Sequence, residues 1–155
     1  MSVSVIETVQ SYVDRFGLGL KVIELKESTR TCELAAAALG VEVGQIAKTL
    51  LFLADGRPVL VVASGDIRVK SGKLKKHLGA AKIRLAEPQE VMEITGYPVG
   101  GVCPLALPRP IPVILDKSLR RFPVVYAAAG TPNSALPLSA DQLEIVTAGE
   151  WADIV

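Results

Sequence analysis

From Val5 to Phe16 the apolar residues Val5, Ile6, Val9, Tyr12, Val13 and Phe16 recur at intervals of three and four, the spacing that lines one face of a helix, and Gly17 closes the run. Residues 20–25 (LKVIEL) read as a strand. Thr31 then stands as an N-cap, Glu33 falls in the first turn where the helix dipole favours an acid, and an alanine-rich helix runs to Gly40, with a second short helix starting near Glu42. Residues 49–65 (TLLFLADGRPVLVVASG) are two aliphatic runs joined by Asp55-Gly56, a dipeptide suited to positive φ, and predict a β-hairpin. A short basic helix (VKSGKLKKHLG) ends at Gly79, KIRL at 82–85 reads as a strand, and Pro88 sits in the first turn of a helix running to about Thr95. Residues 96–112 form a loop with five prolines; IPVILD and VVYAAAG follow as strands, and LSADQLEIV as a last helix capped by Ser139. Strands interrupted by short helices, with one clear hairpin, predict an α/β or α+β domain built on a mixed sheet. No repeat or linker divides the chain, so one domain over residues 1–155 is expected, a length that buries roughly 70% of the unfolded surface.

Composition narrows the class. Half the residues are hydrophobic but only seven are aromatic (one Trp, three Tyr, three Phe), so the core is expected to be aliphatic. No run approaches the roughly 18–20 apolar residues of a membrane helix, and the N-terminus lacks the basic start, apolar run and cleavage site of a signal peptide. A cytoplasmic protein with no membrane partner is the expectation. Cys32 and Cys103 lie in different motifs without a CxxC or Cys/His pair, which argues against a disulfide and against a metal site. Neither a GxxxxGK[ST] loop nor a GxGxxG fingerprint occurs, so no nucleotide cofactor is implied.

The net charge of +1 conceals a segregation of sign. Arg68, Lys70, Lys73, Lys75, Lys76, Lys82 and Arg84 fall in one acid-free stretch, whereas from Asn133 onward Asp141, Glu144, Glu150 and Asp153 stand without a single Lys or Arg. Such a stretch is either the footprint of a polyphosphate partner or a solvated helix surface, and charge alone does not separate the two.

The only histidine, His77, falls at the end of the lysine-rich helix, which leaves a Ser-His-Asp or Cys-His arrangement poorly supported. What remains is Lys48 at the mouth of the hairpin, the pair Gly100-Gly101, and Gly130-Thr131 after the last strand. A strand-end lysine commonly just extends its charge to water, and glycine pairs commonly mark turns. Glycines also let a ligand approach bare N–H groups, the way a site without an acid holds an ester carbonyl or a developing oxyanion.

At these residues the sequence resembles the YbaK/ProX deacylases, which are similar to the editing domain inserted in bacterial prolyl-tRNA synthetases. The resemblance is carried by TCELAAAALGVEVGQIAKTLLF (31–52), VVASGDIRVKSGKLKKHLGA (61–80), TGYPVGGVCPLAL (95–107) and YAAAGTPNSALPLSADQL (126–143). It implies a mixed, strongly curved β-sheet flanked by helices, with the aminoacyl-adenosine end of tRNA bound in a cleft on the sheet. It further implies that Lys48 is the functional lysine, that Gly100, Gly101, Val102 and Cys103 form a glycine-rich site loop, and that Gly130 and Thr131 form a second one. Lys48, Gly101 and Gly130 are then the expected catalytic positions, and Gly100, Val102, Cys103 and Thr131 the expected substrate contacts. Enzymes of this family lack a protein nucleophile, so the implied mechanism positions a water using backbone donors and the ribose hydroxyl of the substrate, with no metal or cofactor. Where YbaK-type members carry an acid a few positions past the second loop's glycine, Ala135 stands here, so the cysteine preference of that type is not carried over.

The function this implies is trans-editing: hydrolysis of the ester between a mischarged small amino acid and tRNA. A synthetase pocket separates substrates differing by one methylene by only about 1–3 kcal/mol, so a second hydrolytic sieve has a use. Arg68, Lys70, Lys73, Lys75 and Lys76 are the expected tRNA phosphate contacts, and a synthetase is a candidate partner. The alternative is a catalytically silent module of the same fold that binds tRNA or a synthetase and regulates it. A small-molecule hydrolase unrelated to tRNA would leave the seven cations without a purpose.

Overall fold

The computed structural model describes residues 4–155. Helix α1 (Val5–Asp14) starts at Ser4, whose hydroxyl accepts the Glu7 N–H, and buries Val9 and Val13. Strand β1 (Ile23–Glu24) is shorter than the six residues expected. Helix α2 (Cys32–Leu39) is capped by Thr31 and ends at Gly40 in the left-handed region, as the sequence predicts. The second short helix is a single 3-10 turn over Val43–Gln45.

Strands β2 (Ile46–Ala54) and β3 (Arg57–Ser64) form the expected hairpin, with Asp55 and Gly56 both at positive φ (50° and 80°). Helix α3 (Ser71–Leu78), strand β4 (Ile83–Leu85) and helix α4 (Pro88–Thr95) follow. Strand β5 (Val113–Asp116) leads into a 3-10 turn, and β6 (Val125–Ala127), β7 (Ser134–Leu138), α5 (Ala140–Thr147) and β8 (Glu150–Ala152) complete the fold.

Strands β7 and β8 escape the sequence pattern. β7 contains Pro137, which ordinarily argues against a central strand, but its pairing with β1 stops at Ala135, so on that edge no ladder bond is lost. β8 has only three residues and no apolar alternation; parallel pairing of Glu150, Trp151 and Ala152 with β5 defines it.

The described residues thus form an open, mixed eight-stranded sheet flanked by five α-helices, with seven strands in the order β1-β7-β6-β2-β3-β5-β8 and the eighth, β4, pairing with β2 off that path. Alternate residues of the central strands feed opposite faces. Leu51, Leu53, Leu60, Val62, Val113 and Leu115 pack with Val9 and Val13 of α1, Val91 of α4, and Leu143 and Val146 of α5 in the larger core cluster. On the other face Phe52, Val59, Val61 and Ile114 meet Leu74 of α3, while Ile46 meets Ala35 and Ala36 of α2. The core is aliphatic, as composition implies; Phe52 and Tyr97 are its buried aromatics.

The pairing of β2 places the site. One edge of β2 pairs with β3 without a break, from Ala47↔Ser64 to Ala54↔Arg57. The other edge is shared: Ile46 and Ala47 pair in parallel with β6, and Phe52 to Ala54 pair antiparallel with β4. On this second edge Lys48 to Leu51 have no partner strand, although the Leu51 carbonyl accepts the Ala86 N–H (2.9 Å) just past β4.

Candidate active site

A cavity of about 290 Å³ lies along this unpaired stretch of β2. Its floor is Ile46 to Leu51, and its walls come from the start of α2 (Thr31, Cys32, Ala35), the end of β4 (Leu85, Ala86), the loop at Val99, Gly100 and Val102, β6 with Ala128, and Ser134 and Ala135 of β7. The surfaces are mainly aliphatic. No Asp, Glu or His lines the cavity, and its only cations are Arg30 and Lys48. Thr49, on the floor, has a buried hydroxyl without a partner.

Lys48 stands on β2 with its ammonium donating to the Ile67 carbonyl. That carbonyl belongs to the turn after β3, which is fixed by a two-pronged ion pair of Arg121 with Asp66 (2.6 and 3.1 Å). The Arg121 guanidinium holds the Asp66 carboxyl below its ordinary range, with a smaller contribution from Lys48. The head of Lys48 is therefore held by this carbonyl, with donor capacity left on its three-proton ammonium.

The first glycine loop divides between cavity and support. Gly100 and Val102 line the cavity, and neither donates its N–H to an acceptor among the described residues. Gly101 does not line it: its N–H is used by the Pro98 carbonyl (2.9 Å), and a Cβ there would lie 3.0–3.1 Å from the backbone of Thr131. Gly101 thus lets the two loops touch. Gly130, at φ +96°, fits against the Tyr97 ring, where a Cβ would come within 2.8 Å of a ring carbon. Thr131 joins a small network, its Oγ1 lying 2.7 Å from Ser134 Oγ and 3.0 Å from Asn133 Oδ1. Ser134, not Thr131, reaches the cavity.

Cys103 is fully buried in the larger core cluster and is not part of the cavity wall. Burial pushes its thiol up to about 12, which leaves no thiolate at neutral pH. Cys32 does line the cavity, yet burial raises its thiol as well, and the nearby Lys48 only partly offsets this. Neither cysteine has a base beside it: His77 lies on α3, 3.7 Å from Glu150.

Of the expected phosphate contacts, Arg68, Lys70, Lys73, Lys75 and Lys76 are all exposed on α3 and the turn before it. Lys73 is engaged with the Val155 carbonyl (2.6 Å), with Asp153 at 4.0 Å. Arg84 is held by Glu90 at 2.8 Å. Arg68, Lys70, Lys75, Lys76 and Lys82 make no ion pair among the described residues. None of these residues lines the cavity; Arg68 follows Ile67, whose carbonyl receives Lys48.

Three contributors were not singled out from the sequence: Arg30, Thr49 and the alanines Ala35, Ala47, Ala86, Ala127 and Ala128, whose small side chains leave the space open. Arg30 lies in a polar segment, and an alanine in a strand reads as core; no local pattern marks either. Ala135, noted as standing where relatives carry an acid, lines the cavity. Among the described residues no cluster of His, Cys, Asp and Glu is suited to a metal, and no helix is long and apolar enough to cross a membrane.

Residues 26–145 match the family described as the aminoacyl-tRNA editing domain. YwhH, an uncharacterised protein of Bacillus subtilis (strain 168), is 36% identical over 151 residues, covering 96% of each chain. The proline–tRNA ligase of Geobacter sp. (strain M21) is 41% identical over 90 residues, which make up 58% of this chain and 16% of that ligase. A crystal structure of a candidate trans-editing enzyme for prolyl-tRNA synthetase matches with a TM-score of 0.90 at 40% identity, over 99% of this chain and 98% of that one.

Proposed function

The chain belongs to the aminoacyl-tRNA editing domain family, and from that premise we propose that it is a cytoplasmic trans-editing deacylase, which hydrolyses the ester of a mischarged small amino acid on tRNA. The observation that carries this reading is the composition of the cavity: cations and unclaimed N–H groups at a small, aliphatic space that holds no carboxylate, imidazole or reactive thiol. A site so built offers no carboxylate or imidazole as a base, and burial disfavours the thiolate of Cys32 at its wall. It can hold an ester in place and stabilise negative charge on the carbonyl oxygen as water adds.

In this mechanism the amino-acid side chain enters among the alanines, and Lys48 holds the ribose end of the substrate. The free N–H groups of Gly100 and Val102 face the carbonyl oxygen, a task proposed for them in place of Gly101, whose N–H is taken. The neighbouring ribose hydroxyl orients the water and relays its proton to the leaving ribose oxygen, since among the described residues no carboxylate or imidazole lines the cavity. Gly101, Gly130 and Thr131 act by holding the two loops together, and Cys103 packs beneath them. Arg68, Lys70, Lys75 and Lys76 attract the phosphates of the tRNA body, a contribution that raises affinity without reading sequence. Lys73 adds less, because Val155 and Asp153 already engage it.

The test is a deacylation screen over tRNAs mischarged with Ala, Ser, Thr and Cys. Rapid release of at least one amino acid, above the rate in buffer, is expected. Tight binding of tRNA with no release from any of the four would instead identify a silent regulatory module.

A further inference from the structure

The two cations of the cavity, Arg30 and Lys48, differ in their surroundings. The Lys48 ammonium is committed to the Ile67 carbonyl and lies in the field of Asp66. Arg30 is fixed at its root and free at its tip. Its N–H donates to Ser28 Oγ (3.2 Å), the neighbouring Thr29 N–H donates to the Pro132 carbonyl (2.6 Å), and the Thr29 hydroxyl reaches the Ser134 carbonyl (3.3 Å). The stem of Arg30 crosses Gly100 so closely that a Cβ there would lie 2.7 Å from its Cγ. Its guanidinium meets no acid and no other acceptor among the described residues, and no carboxylate lines the cavity to compete for it.

We propose that Arg30 is the anion anchor of the cleft, gripping the phosphate that joins the terminal adenosine to the preceding nucleotide. The inference rests on the reading of the cavity as an aminoacyl-adenosine site and adds a subsite to it. A guanidinium presents two parallel N–H donors to two oxygens of one phosphate, which an ammonium cannot do. Because the root is already ordered, only side-chain freedom is lost when the tip engages. Anchoring the phosphate at Arg30 sets the reach of the ribose into the cavity and leaves Lys48 for the ribose itself. The same contact explains the glycine at position 100: any side chain there would displace the arginine stem.

The experiment compares adenosine with adenosine 5′-phosphate as probes, each titrated by NMR into the native protein, Arg30→Ala and Arg30→Lys. The native protein is expected to bind the phosphorylated probe at least tenfold more tightly than adenosine. Arg30→Ala should bind both equally at the native adenosine affinity, and Arg30→Lys should fall between. A preference for the phosphorylated probe that survives in Arg30→Ala overturns the assignment. So does an equal loss of affinity for both probes, which would make Arg30 a structural support of the Gly100 loop, and so does a native protein that binds neither. A parallel assay with alanyl and seryl esters of the two probes keeps the two readings apart. Should the native protein hydrolyse none of them yet show the Arg30-dependent preference, the enzymatic reading fails and the anion subsite stands.

Discussion

The two edges of β2 carry the same residues to different ends. Along the edge facing β3 the register is unbroken from Ala47 to Ala54, and the side chains it brings together, Leu51, Leu60 and Val62, are at most 2% exposed. Along the opposite edge two short strands divide the length between them, and the stretch from Lys48 to Leu51 is left facing a cavity. The contrast teaches that a strand can secure the fold through one edge and border a cavity along the other, because backbone pairing is satisfied independently on each edge while the side chains project to the faces.

The comparison breaks most visibly on the β3 side. Leu60 is fully buried between the faces of the larger core, and Leu60→Ala is expected to cost about 2–5 kcal/mol of stability, the range for a leucine truncated in a core that cannot collapse. Denaturant melts measure the loss, and the rate per folded molecule should stay near native. A variant that melts normally but is inactive would show that the two edges are not separable.

The reverse pattern is expected at Lys48. Lys48→Ala should slow deacylation tenfold or more, about 1.4 kcal/mol of barrier, while the melting temperature moves by no more than the 2–4 °C that about 1 kcal/mol corresponds to at this size. Parallel rate and melting measurements decide it. Native turnover in the variant would remove the lysine from the proposed site.

The smallest effect sharpens the link between the edges. Asp66 holds the turn that receives Lys48, and its carboxyl is depressed chiefly by the Arg121 hydrogen bonds. A depressed folded value means that the pair contributes above the unfolded carboxylate value of about 3.9, and that the contribution is lost as pH falls through the lower folded value. The pair is partly exposed, so its share is expected to be below about 1 kcal/mol. Asp66→Asn should therefore melt slightly below the native protein at neutral pH, with the difference closing as the pH falls below 4. A constant difference across that range would mean that the loss is one of packing and not of charge.

What the sequence by itself determined is what depends on near neighbours. The helix caps at Thr31 and Ser139, the left-handed Gly40 and Gly79 that end α2 and α3, and the Asp55-Gly56 hairpin are all set by contacts within a few residues, and each was legible. So was the family, through the segments around Lys48 and Gly100-Gly101, whose stretch of chain lies within the matched residues 26–145. What only the tertiary structure decided depends on partners far along the chain. β8 exists because β5 is there to receive it, some 35 residues earlier in sequence, and β7 tolerates Pro137 because β1 stops short. The division of the glycine loops into Gly100 and Val102 at the cavity and Gly101 and Gly130 in support follows from where Arg30, Thr131 and Tyr97 come to rest. Arg30 itself became visible only there: an arginine in a polar segment carries no local signature, and the role proposed for it rests on the lack of an acid around it among the described residues, a property of space and not of sequence.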